Sequence, residues 1–147
     1  MQNRLDQLCI RLAKLFRTIE EEGLITVKLV EEKDIIDELY NKSVSMVLGG
    51  RIPEHIDLIL SFELAKAIRD NLDDETIKCF ILVKKLIEPI RNLEYDNIIQ
   101  FAKVWASTEV YHEINDKILQ KYVLREFENA DAQEVCTIKF YDNIEIK

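Results

Sequence analysis

Apolar residues recur along most of this chain at spacings of three and four, the period of a helix buried along one side. Leu5, Leu8, Leu12, Leu15 and Ile19, widened by Cys9 and Phe16, predict an amphipathic helix over residues 3–22. Ile35, Ile36, Leu39, Tyr40, Val44 and Val47 predict a second over 35–48, with Asp34 placed to cap its start and Gly49 and Gly50 to end it. Pro53, whose missing N–H suits a first helical turn, opens a third over 53–70. Asp73 caps a fourth from 74 to about 88, where Pro89 is expected to interrupt it. Beyond Asn92 a helical pattern resumes near Asp96. Ile98, Phe101, Ala102 and Trp105 form one stripe, while Tyr111, Ile114, Ile118 and Tyr122 form another out of register, which predicts a break near Ser107 and Thr108.

Two stretches depart from this period. Ile25, Val27 and Leu29 alternate with Thr26 and Lys28, and Cys136, Ile138 and Phe140 alternate with Thr137 and Lys139, each as a half-buried strand would. A small two-stranded pairing of about 25–30 with 135–141 is the option these patterns offer, beside a helical reading of 24–30 imposed by tertiary context. The last six residues read as a tail.

The predicted third helix carries two apolar stripes, one of Ile56, Leu60, Leu64, Ala67 and Ile68 and another of Leu58, Phe62 and Ala65. Two apolar faces imply either a central helix or one that meets another chain. Glu20, Glu21 and Glu22 fall in the last turn of the first helix, where the dipole disfavours negative charge by roughly 0.3–1 kcal/mol each when exposed. Either that helix continues past Gly23 or the acids serve a partner.

Three glycines and two prolines among 147 residues, with 48% hydrophobic and 33% charged, favour long helices and short connections. The expected fold is all-α, one compact domain of about five or six helices spanning 1–147, without repeat or linker. Such a length buries roughly two-thirds of the unfolded surface without metals or disulfides. A net charge of −8 opposes non-specific binding to nucleic acid or anionic membranes, so the expected partner is a protein. Cys9, Cys79 and Cys136, odd in number and widely spaced, read as buried thiols of a reducing cytoplasm. The longest strongly apolar run, Cys79 to Val83, falls far short of the ~20 residues of a membrane span, and no signal peptide is apparent.

Candidate chemistry is sparse. Glu109 and His112 have the Glu-x-x-His spacing of di-iron bundles, but a second such pair is missing, since His55 follows Glu54 directly. The cysteines lack Cys-x-x-Cys spacing, and Leu48-Gly-Gly-Arg51 follows a helix and lacks the lysine of a phosphate loop. Trp105 and Phe101 read as core. No catalytic, cofactor or metal residue is assigned.

The stretch from Val44 to Glu63, together with Glu22-Gly23-Leu24, resembles the cytoplasmic region of the flagellar motor stator protein MotA. Gly23 and Leu24 match a Glu-Gly-Leu element, Gly50 a turn, and Glu54, Ile56, Ile59 and Glu63 the helix that follows; the likeness covers about residues 14–68. It implies a cytoplasmic module without the channel helices, contacting a rotor through charges, with 24–30 helical. The positions matching the family's rotor-facing charges are Glu20 and Lys28, each opposite in sign to the family's residue.

The expected function is therefore a non-enzymatic, soluble protein-interaction module. Its expected contact residues are Glu20, Glu21, Glu22 and Lys28 as charges and Leu58 and Phe62 as an apolar patch, and its expected partner a motility component. The alternatives are a self-assembling homodimer built on 53–70, and a small metal or enzymatic protein built around Glu109 and His112.

Overall fold

The computed structural model describes residues 3–119, which form an all-α bundle of six helices. They are α1 (Arg4–Glu22), α2 (Ile35–Leu48), α3 (Pro53–Arg69), α4 (Asp74–Arg91), α5 (Tyr95–Trp105) and α6 (Thr108–Glu113), the last running into a π turn, Ile114–Ile118. α4 is the hub, packing against α1, α2, α3 and α5. Leu82 and Ile90 of α4 are fully buried, as are Leu8 and Leu12 of α1 and Ile56 and Leu60 of α3, all within one apolar cluster. None of the described helices is long and apolar enough to cross a membrane.

The caps sit where the side-chain chemistry puts them. Asp34 Oδ1 accepts from Asp37 N at 2.9 Å and Asp73 Oδ1 from Thr76 N at 3.2 Å, each satisfying an orphan donor of a first turn. Gly50, at φ +74°, lets Arg51 N donate to the Met46 carbonyl and close α2, and Pro53 opens α3 three residues later. The expected break between α5 and α6 is present: Ala106 is extended and Ser107 Oγ caps Val110 N.

Helix polarity explains the connection between α1 and α2. Leu5 N donates to Glu75 Oε2, so α1 and α4 start at the same end of the bundle. Arg4 meets Asp34 there, while Leu15, Ile19, Val44, Val47, Ile87 and Ile90 gather further along. α1, α2 and α4 are thus parallel, and α3 returns antiparallel, with Lys42 to Glu63 at 2.6 Å and Lys84 to Asp57 at 3.0 Å. A parallel α1 and α2 require the chain to travel back along α1, about 28 Å for its 19 residues. The dozen residues between Glu22 and Ile35 would cover only about 18 Å as helix and up to about 40 Å extended. Topology therefore demands an extended strap.

This corrects both readings of 24–30. The segment is neither helix nor strand: after a single 3-10 turn, Leu24–Thr26, it runs extended, with Val27 buried while Ile25 and Leu29 are exposed. Its lateral partner is a side chain. Asn41 Oδ1 accepts from Val30 N at 3.0 Å and Asn41 Nδ2 donates to the Val30 carbonyl at 2.8 Å, the two bonds a neighbouring strand would have supplied. No strand exists among the described residues, and the other half of the expected pairing, 135–141, lies outside them, as do Tyr122 and Cys136.

A second correction concerns Pro89. α4 continues through it to Arg91, because the ring falls in the final turn, where one helical hydrogen bond is lost while Ile87 and Ile90 stay buried. The helix closes when Glu94 N donates to the Pro89 carbonyl, with Leu93 in the left-handed region at φ +61°. For a leucine that conformation costs about 1–2 kcal/mol. Leu93→Gly is therefore expected to raise the melting temperature by roughly 2–4 °C, in proportion to about 1 kcal/mol; an unchanged or lower melting temperature would contradict it.

Candidate functional site

Two surface features stand apart from the core: the cleft under the strap and the outer face of α3. The cleft begins with α1, whose residues Arg4 to Thr18 contain four basic residues and one acid in a chain of net charge −8. Gln7, Arg11, Lys14 and Thr18 lie along one side of that helix, and the returning strap sets Val27 and Lys28 opposite them. Tyr40 of α2 completes an open cleft of about 450 Å³ whose apolar surface comes from Ile10, Leu15 and Val27. No carboxylate lines it.

Behind the cleft a buried carboxylate, Asp37, holds Arg11 of the lining together with Arg4. Asp37 Oδ1 accepts from Arg11 at 2.6 Å and from Arg4 at 3.2 Å, and its Oδ2 accepts from Lys33 N at 2.9 Å. Burial penalises the charged form of Asp37, but the bonds to Arg11, the Lys33 N–H and Arg4 outweigh it and bring the pKa from 3.8 to about 2. The Arg11 guanidinium also stacks over the Tyr40 ring at 5.2 Å. Lys14 and Lys28, by contrast, form no ion pair with any described residue.

The face of α3 opposite its buried stripe of Ile56, Leu60 and Ala67 presents Leu58, Phe62 and Ala65 at spacings of four and three. Leu58 is 52% exposed and Phe62 61%. Of the two explanations for a doubly striped helix, a central position does not fit among the described residues, where α3 packs on α4 and α2 and leaves this face exposed.

The structure distributes the expected contact residues over these features. Leu58 and Phe62 share one stripe, and Lys28 lines the cleft on the strap. Glu20, Glu21 and Glu22 occupy the last turn of α1, which ends at Gly23 and does not continue. Sequence reasoning missed Arg11, Lys14, Asp37 and Asn41. The available signal was the carboxylate-free polar stripe Gln7, Arg11, Lys14 and Thr18 on an acidic chain.

The remaining candidates stay apart. Cys9 and Cys79 are buried, and burial, as the largest cause, pushes both thiols up to about 12, far from the thiolate that redox chemistry requires. Glu109 and His112 are exposed on α6, and no three His, Cys, Asp or Glu residues converge as metal ligands among the described residues. Phe101 and Trp105 pack edge to face at 6.1 Å against the core. Compared with known protein families, with curated proteins and with solved structures, the chain matches none of them.

Proposed function

We propose that this chain is a non-enzymatic protein-interaction module, of the kind its resemblance to the MotA cytoplasmic segment implies, with the outer face of α3 as its docking surface. The observation that carries the reading is the exposed pair Leu58 and Phe62, extended by the small Ala65, since large apolar side chains aligned on one helix face mark contact sites more often than isolated ones do. The helix-in-groove mode uses such spacings as anchors. Glu20, Glu21, Glu22 and Lys28 then steer the partner's approach, a role that tunes association rate and partner choice more than affinity. A motility component with charges complementary to Glu20 and Lys28 is the proposed partner.

The second reading, a homodimer through the same stripe, is favoured by its self-complementary apolar character. Phe62→Ser separates function from folding, because an exposed substitution changes stability by no more than about 0.5 kcal/mol. In affinity capture from the native host, flagellar switch or stator proteins recovered by the wild type, and lost both with Phe62→Ser and with the pair Glu20→Lys and Lys28→Glu, support the module. Light scattering that finds a wild-type dimer and a Phe62→Ser monomer supports the homodimer instead. A wild-type monomer that recovers no motility component refutes both.

A further inference from the structure

We propose that the cleft between α1 and the strap binds a small amphipathic anion, with a phosphate or carboxylate head and a short apolar body. The site is independent of the α3 face. Its volume of about 450 Å³ falls within the roughly 300–1,000 Å³ typical of small-molecule sites. Two kinds of wall meet in it. Ile10, Leu15 and Val27 offer apolar surface, while Arg11, Lys14 and Lys28 supply positive charge with no acid among the lining residues. Acids outnumber bases 28 to 20 in the whole chain, so a cleft free of carboxylates is a local reversal of the protein's own field.

The cations divide the work. Arg11 is held in place through one Nη by Asp37 and by stacking on Tyr40, and makes no hydrogen bond through its other nitrogens with the described residues. Its charge is largely answered by Asp37, so it orients a head group more than it neutralises one. Lys14 and Lys28 come from opposite walls, α1 and the strap, and carry no ion pair with the described residues, so two ammonium charges are available to a head of charge −1 to −2. An amphipathic ligand uses both halves of the cleft, whereas a bare anion leaves the apolar surface wet and a neutral one leaves the lysines unanswered.

Hexyl phosphate is the probe, titrated by calorimetry and by amide chemical shifts at low ionic strength, beside hexanoate, hexanol and inorganic phosphate. The expected result is binding at least about tenfold tighter for hexyl phosphate than for hexanol or inorganic phosphate, weakening as salt rises, with shifts at Val27 and Lys28. Hexanoate binding as tightly would assign the site to carboxylates as well; a clear preference for hexyl phosphate would assign it to phosphates. The double variant Lys14→Gln and Lys28→Gln, both at exposed positions, is expected to melt as the wild type does and to lose about tenfold in hexyl phosphate affinity while hexanol binding is unchanged. Hexyl phosphate binding no tighter than hexanol, inorganic phosphate binding as tightly as hexyl phosphate, or full affinity in the double variant would each overturn the proposal.

Discussion

Asp37→Asn lowers the stability of this protein by about 2–3 kcal/mol, an expected fall of roughly 5–10 °C in melting temperature. The asparagine preserves the volume and an acceptor for the Lys33 N–H. It removes the negative charge that Arg11 meets at 2.6 Å and Arg4 at 3.2 Å, and it turns one acceptor into a donor facing two guanidiniums. The loss stays below the ~3–5 kcal/mol of a fully buried pair because the two arginine side chains are 28% and 29% exposed and recover part of their hydration. Arg11→Gln, which leaves Asp37 with Arg4 and the Lys33 N–H, is expected to cost about 1 kcal/mol. Equal losses in the two variants would mean that the carboxylate is not the centre of the network.

The same interaction sets an acid dependence. The folded-state pKa of Asp37, about 2, lies below its ordinary 3.8, so between these values the unfolded chain binds more protons than the folded one. The stabilisation is complete above about pH 4, declines as pH falls from there, and is gone below about pH 2. Urea unfolding followed from pH 6 to pH 2 should therefore show the wild type and Asp37→Asn converging as the medium becomes acidic. A constant difference would show that the loss in Asp37→Asn arises from shape and not from charge.

Helices were legible wherever the instruction was local. The stripes of α1 and α2, the caps Asp34 and Asp73, the turn at Gly49 and Gly50 and the opening at Pro53 each act within a few residues of themselves, so a single sequence displays them. Pro89 reads as an interruption because the local rule is correct in isolation. The burial of Ile90, a tertiary fact, carries α4 two residues past it. The strap failed for a related reason. Alternation at Ile25, Val27 and Leu29 signals an extended chain, which is what forms, but it does not specify what satisfies the backbone. The pattern suggested a second strand, and the fold supplies the amide of Asn41.

The candidate surfaces divide along the same line. Leu58 and Phe62 were legible because a second apolar stripe on one helix needs no knowledge of its neighbours, and only their exposure had to be learned from the fold. The cleft was not legible. Lys14 and Lys28 are fourteen positions apart, and they line one cleft because α1 and α2 are parallel and the connection must run back between them. Lys28 enters the sequence reading through the MotA resemblance, as a position matching a rotor-facing charge, without the α1 stripe that gives the charge a setting. Glu20, Glu21 and Glu22 are legible as acids at the negative end of a helix dipole, and α1 does end at Glu22 with no basic residue in its last turn.

Asn41→Leu tests whether the strap depends on that one side chain. Asn41 is 4% exposed and makes three hydrogen bonds, two to the Val30 backbone and one to Glu32 Oε2 at 2.9 Å. Leucine fills a similar volume but leaves the Val30 N–H and carbonyl without partners against an apolar surface, which costs about 1–3 kcal/mol for each group kept there. The strap has a cheaper escape: it lifts away, rehydrates its backbone and gives up the burial of Val27, worth about 1.5–3 kcal/mol. The expected loss is therefore about 2–3 kcal/mol, capped by that release, with the helices intact. Hydrogen exchange distinguishes this from global weakening, because the Val30 amide should lose its protection in Asn41→Leu while amides of α4 remain protected in proportion to the residual stability. Asn41→Asp should behave similarly, since it keeps an acceptor for the Val30 N–H but loses both donated bonds and sets a second carboxylate against Glu32. If Val30 stays protected in both variants, the strap is held by Val27 packing alone. If it is released, the cleft loses one wall and Lys28 with it, so hexyl phosphate binding should fall in Asn41→Leu although no residue lining the cleft has been changed.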